Sequence, residues 1–321
     1  MGQNAAELKS VDVVYTWVDD SFPGYQDVLR TYSKTAEDSS PERTRDNLDL
    51  LKYSLRSLAA YVPFVRHIYI VSCAPQVPAW LATDRPGLTV IHHDAIMDRT
   101  VLPTFNSFAI VSFLNRIGGL SRRFLYVEDD MLFTRNVLLS DFADEEGRLR
   151  LYLRLFATRG AEDRDRDDLS MWSAGLAHTN HLLDEAFGRT PRPAINHTPI
   201  LIDRNYWDEM LQRWEEDFRR TRHSYFRAKY NVVPEHLYPH FLKYTGRGRV
   251  EPVWRTYGTS YLWQLDNSLT RWRLRLARFR LLQPKMVALN DDFGARPNPL
   301  VVAEVRAFLE KTYPKKSPFE K

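Results

Sequence analysis

Apolar and polar positions alternate along the chain in two rhythms. Residues 11–18, VDVVYTWV, form a β-branched and aromatic run that stops at Asp19, Asp20 and the Pro23-Gly24 pair, which predicts a core strand entering a loop. Leu48, Leu51, Leu55 and Leu58 recur at helical spacing, with Pro63 just beyond, which predicts a helix ending near residue 62. HIYIVSCAP (67–75) and LTVIHHD (88–94) predict a second and a third strand. A helix around SFAIVSFLNRI stops at Gly118-Gly119, and FLYVEDD (124–130) follows as a fourth strand. This alternation predicts an α/β fold with a mixed, largely parallel sheet.

The pattern changes near residue 160. RGAEDRDRDD (159–168) is a charged, solvated connector, and residues 203–245 carry helical patterning rich in Trp, Phe and Arg. RWRLRLARFR (271–280) sets five arginines among apolar residues. That segment is either a basic face for an anionic polymer or membrane surface, or a solvated edge. KMVALNDDF (285–293) repeats the theme of an apolar run into Asn290, Asp291 and Asp292. The expected organisation is an α/β half over 8–160 and a helical half over 161–321, working as one unit.

Composition narrows the class. With 44% apolar residues in 321 the chain can bury a large core. Lys and Arg number 45 against 41 Asp and Glu, and a net charge of +4 is too small to imply a nucleic-acid partner. Cys73 stands alone, which excludes an intramolecular disulfide and a cysteine zinc cluster. The start, MGQNAAELKS, lacks the basic flank and apolar stretch of a secretory signal, and Gly2 is followed by Ala6 where a myristoylation motif needs Ser or Thr. No apolar run approaches the roughly 18–20 residues that span a bilayer. The expectation is a cytoplasmic protein, with 271–280 available for peripheral contact at the inner face of a membrane.

The acids carry the candidate chemistry. In an open α/β sheet, ligands bind beyond the carboxyl ends of the strands. Acids stand at three such ends: Asp19 with Asp20, Glu128 through Asp130, and Asp291 with Asp292. Carboxylates so crowded repel unless protons or a cation intervene. Mg²⁺ or Mn²⁺ takes oxygen ligands and bridges a site to substrate phosphates, so a nucleotide diphosphate held through a metal accounts for all three. The alternative is that each pair simply opens a loop or caps a helix.

The ordered blocks VDVVYTWVDD, RTRDNLDLLKYSLRSL, IYIVSCAPQVPAWL, VLPTFNSFAI, GLSRRFLYVEDDM, INHTPILIDR, RHSYFRAKY and ALNDDF resemble the Stealth family of sugar-1-phosphate transferases. Its members include bacterial capsule and exopolysaccharide phosphotransferases and the catalytic subunit of N-acetylglucosamine-1-phosphotransferase. This chain has Glu128-Asp129-Asp130 where the family usually has Asn-Asp-Asp, and LNDD where its last block often reads Leu-Asn-Asp-Asn.

The resemblance implies a nucleotide-sugar transferase fold of the GT-A type, with the donor bound by the first half and the acceptor side formed by the second. It implies metal-dependent transfer of a sugar-1-phosphate from a nucleotide-diphosphate sugar, typically UDP-linked such as UDP-N-acetylglucosamine, to a carbohydrate hydroxyl. Asp129 and Asp130 would hold the metal, with Asn290 or Asp291 approaching from the last block. His197 matches the family's essential histidine and would act as base on the acceptor or as stabiliser of phosphoryl oxygens. Arg227 matches a phosphate-binding arginine, with Arg222 as rival.

On the donor side, Trp17 is either a base-stacking or a core residue, and Asp19 would hydrogen-bond the nucleotide. Arg45 and Arg56 flank the first helix, where they neutralise phosphates unless Arg56 pairs with an acid. Asn106 either caps a helix or sits where backbone N–H groups face an anion. Two further functions fit the acids: a metal-dependent glycosyltransferase that releases a nucleoside diphosphate, and a catalytically dead carbohydrate-binding protein.

Overall fold

The computed structural model describes residues 10–35, 45–46 and 48–321; the N-terminal stretch 1–9 and the remaining positions lie outside the described residues. Strand β1 (Val11–Thr16) is central, and Val13, Val14 and Tyr15 are wholly buried. Strands β2 (Val65–Ser72) and β3 (Leu88–His92) extend the sheet in parallel on one side of it. On the other side β4 (Arg123–Glu128) joins in parallel, and β9 (Ile200–Asp203) closes the edge antiparallel to β4. The order β3-β2-β1-β4-β9 reverses direction between β1 and β4, so the carboxyl ends of those two strands border a crevice. Thr16 stands opposite Glu128 in the register, which places the acidic block at that crevice.

Helix α1 spans Tyr25–Tyr32, and α2 (Leu50–Tyr61) buries Leu51, Leu55 and Leu58 on the face their spacing predicts. Helix α3 (Ser107–Ser112) is short and capped by Asn106, whose side-chain oxygen accepts from the Phe108 N–H at 3.1 Å.

Directly after β4 the chain turns through Asp129 and Asp130 into β5 (Met131–Phe133), which belongs to a different sheet. There β5 runs antiparallel to β12 (Met286–Asp291), and β12 runs parallel to β11 (Ser260–Leu265). Asp129 and Asp130 therefore link the two sheets. Short pairs β6 (Leu149–Leu151) with β10 (Gly248–Val250) and β7 (Leu153–Ala157) with β8 (Pro193–Ile195) flank them. The second half supplies α4 (Met171–Phe187), α5 (Arg204–Arg213), α6 (Glu215–Arg222) and α7 (Pro234–Tyr244). It ends with α8 (Val253–Thr259), α9 (Leu269–Leu282) and α10 (Pro299–Thr312). Because β9 lies in the first sheet and β12 pairs with β5, the two halves share their sheets across residue 160.

The arginine-rich segment is helix α9. Its inner face sets Trp272 and Phe279 each 5.1 Å from the Trp263 ring in a second aromatic core. Leu274 and Leu281 point outward, but Arg271 and Arg275 both meet Asp266 and Arg273 meets Glu304. Much of the charge expected to face an anionic surface is thus engaged within the protein. Among the described residues, no helix is long and apolar enough to cross a membrane.

Candidate active site

The crevice at the ends of β1 and β4 opens into two adjoining chambers. One, of about 380 Å³, is lined by Trp17, Arg45, Asp129, Asp130 and Asn290 among others. The other, of about 510 Å³, is lined by Tyr126, Trp172, Asn196, His197 and Glu235 among others. Thr16, Ser107, Glu128, Arg227 and Asn290 border both.

Between the chambers, His197 Nε2 lies 3.2 Å from both carboxylate oxygens of Asp130, and its Nδ1 lies 3.8 Å from Glu128. One ligand atom from each of these three residues falls within 4.8 Å of the others. The two carboxylate oxygens fit a hard divalent cation, with the His197 imidazole beside them. The expected ligands were Asp129, Asp130 and Asn290, and the observed convergence differs because β4 ends at Glu128 and the chain turns through Asp129 and Asp130, which brings the Glu128 and Asp130 carboxylates together. Glu128 and Asp130 share one side, and Asp129 is left out of the cluster. Asn290 does return to the acidic turn, since the Leu289 N–H donates to the Asp130 carbonyl at 2.9 Å.

Burial alone would depress the His197 pKa, but the adjacent Asp130 and Glu128 charges override it and raise the pKa to about 10. Glu128 is itself shifted up, by burial first and then by Asp130, against the pull of His197 and Arg227. Asp129 is pushed well above the carboxylate range by burial and by Asp130, Asp46 and Glu128. That crowding is what a bound cation relieves.

Arg227, not Arg222, faces the crevice. It lies on the segment after α6, donates to Ser107 Oγ at 2.8 and 3.2 Å, and stacks over Phe108 and Trp172 at 4.7 and 5.4 Å. Arg222 instead bonds Ser112 and stacks on Phe113, and burial lowers its pKa to about 10.

Asn106 is wholly buried and faces neither chamber; it is the helix cap its sequence allowed. Its amide also donates to Asn231 Oδ1 at 2.9 Å, and Asn231 accepts from the Ala228 N–H at 2.9 Å. Asn106 therefore anchors the segment that carries Arg227.

In the 380 Å³ chamber, Trp17 is both buried and part of the wall, and its indole N–H donates to Asp46 at 2.9 Å. Arg45 lines the chamber but forks onto Asp291 at 2.6 Å, so Asp291 orients an arginine. Asp19 does not line the chamber: it accepts from the Ser21 N–H and hydroxyl at 2.9 and 2.7 Å and shapes its own turn. Arg56 also lies apart from both chambers. It pairs with Glu320 at 2.6 Å and donates to the Tyr313 carbonyl at 2.9 Å, so it fastens the C-terminal segment.

Sequence reasoning counted Glu128 among the crowded acids without naming it a ligand, and it missed Asp46, Trp172, Asn196 and Glu235. Asp46, beside Trp17, is raised by burial and nearby Asp49, the Trp17 bond opposing the shift. Glu235, in the first turn of α7, is raised to about 7 by burial and by Glu128. The sequence signal available was Asn196 beside His197 in one block; a Glu after Pro234 reads as an ordinary helix start.

An α/β protein with an imidazole held between two carboxylates at the switch point of a parallel sheet is what the fold and site define. Residues 43–151 match Stealth protein CR2, conserved region 2, and residues 196–244 match Stealth protein CR3, conserved region 3. The chain belongs to the Stealth family. It is 31% identical over 97% of its length to the capsular polysaccharide phosphotransferase SacB of Neisseria meningitidis serogroup A, covering 57% of that protein. It is 33% identical over 97% of its length to the exopolysaccharide phosphotransferase SCO6023 of Streptomyces coelicolor, covering 52% of it. The chain thus spans little more than half the length of these relatives. Among solved structures it is similar to the galactosyltransferase LgtC at 11% identity and a TM-score of 0.44, covering 95% of this chain and 96% of that one, too slight a likeness to bear weight.

Proposed function

We propose that this chain transfers a sugar-1-phosphate from a nucleotide-diphosphate sugar of the uridine class to a carbohydrate hydroxyl in capsule or exopolysaccharide synthesis. The observation that carries the proposal is the Glu128–Asp130–His197 cluster standing between two chambers that share Arg227. Membership of a family whose named relatives are polysaccharide phosphotransferases supports it.

The acceptor oxygen forms a bond to the β-phosphorus, the bond from that phosphorus to the bridging oxygen breaks, and a nucleoside monophosphate leaves. The sugar's anomeric C–O bond stays intact. Such a transfer needs positioning and charge stabilisation more than covalent help. Arg227, bordering both chambers, meets the transferred phosphoryl oxygens, and Ser107 holds the guanidinium in place. Asp130 and Glu128 would hold a Mg²⁺ or Mn²⁺ ion, which when bound would supply charge neutralisation for the diphosphate and, by offsetting those carboxylates, would lower the His197 pKa. His197 as imidazolium faces the phosphoryl oxygens with positive charge; as the neutral ring it takes the acceptor's proton.

A panel of nucleotide sugars tests this, with the released nucleotide identified. UMP from a UDP-sugar is expected, and UDP would instead mean glycosyl transfer. Asp130→Asn should still fold and lose turnover by about 10³-fold, several kcal/mol of charge stabilisation. Full activity of the wild type after chelation would contradict the metal.

A further inference from the structure

We propose that the 510 Å³ chamber binds the acceptor saccharide, with Asn196 and Glu235 reading its hydroxyls and Trp172 stacking on a sugar face. This rests on the sugar-phosphate transfer proposed above and names the residues that select the acceptor.

Two orphaned polar atoms carry the inference. Asn196 is buried, and its amide nitrogen has no hydrogen-bond partner among the described residues. The Glu235 Oε2 atom is likewise buried and unpartnered. Buried polar atoms are satisfied in the great majority of cases, and leaving one unpaired costs about 1–3 kcal/mol. His236, lining the same chamber, follows that rule and bonds Asn180 at 3.0 Å. Asn196 and Glu235 line the same chamber and offer one donor and one acceptor. A sugar hydroxyl is itself both, so adjacent hydroxyls of one ring complement the pair.

The third wall is apolar. Trp172 is 42% exposed, with Phe108 at 5.4 Å and the Arg227 guanidinium at 5.4 Å. Its uncovered surface suits the apolar face of a pyranose, and Leu262 lines the chamber nearby. Location agrees with this chemistry. Trp17, Arg45 and Asp129 belong to the other chamber, and His197 belongs to this one, so a hydroxyl entering here meets the imidazole.

The test presents wild type, Trp172→Ala, Asn196→Ala and Glu235→Gln to an array of defined hexose and N-acetylhexosamine oligosaccharides. Each protein is titrated in parallel with UDP-N-acetylglucosamine and Mn²⁺ by calorimetry. Wild type should bind a subset of the array, and each variant should lose roughly tenfold in saccharide affinity with nucleotide-sugar affinity unchanged. Trp172 is half-exposed and Glu235→Gln is isosteric, so matching thermal midpoints are expected for both. Saccharide binding retained by the variants, no array binding by wild type, or joint loss of both ligands in all three variants would overturn the assignment. If wild type binds saccharide through these residues but no nucleotide sugar, the donor proposal fails and this one stands. If it binds the nucleotide sugar and the variants change nothing, this one fails alone.

Discussion

His197 receives opposing instructions from its surroundings. Burial favours the neutral ring, while Asp130 and Glu128 favour the imidazolium and raise its pKa to about 10. A histidine whose folded pKa exceeds its unfolded value adds stability that is full below the ordinary value of about 6.5 and is lost as pH rises through about 10. In chelated protein the His197 ring should therefore stay protonated through pH 8 in an NMR titration, and added Mg²⁺ should move its midpoint downward. The denaturant midpoint of wild type should also fall toward that of His197→Asn as pH rises from 7 to 10. A ring titrating near 6.5 without metal would show that the ion pair does not form in solution.

Elements were easier to read than their side-chain partners. Strands β1 to β4 and helix α2 followed from apolar runs and helical spacing because their cores are local patterns. The acidic turn after β4 was legible as a site, but the turn geometry that brings Glu128 together with Asp130 rather than Asp129 became visible only once β5 fixed the turn. Asn106 shows the other limit, since its partner Asn231 lies 125 residues away. The cap was foreseeable from sequence, whereas the anchoring of the Arg227 segment was not. Asn106→Ala should cost about 1–2 kcal/mol from the lost cap, and more from leaving Asn231 unpaired. It should also lower turnover through misplaced Arg227, which kinetics beside urea melts would reveal. A variant that loses stability but keeps its rate would confine Asn106 to folding.

Across the whole molecule, parts distant in sequence close the site. Arg45 forks onto Asp291, the last strand returns to Asp130, and β9 completes the first sheet beside β4. Arg56 takes the acid-paired alternative left open by its sequence, but which acid was not legible: Glu320 lies 264 residues onward and no local pattern announces it. What this closure holds together is two adjoining chambers and the cluster between them. In the proposed transfer the sugar and its phosphate travel as one piece. A UDP-sugar labelled with ³²P in the β-phosphate and ¹⁴C in the sugar tests it directly, with Mn²⁺ present and a polysaccharide acceptor supplied. Both labels should enter the acceptor product in equal amounts, while ¹⁴C entering without ³²P would rule out sugar-phosphate transfer.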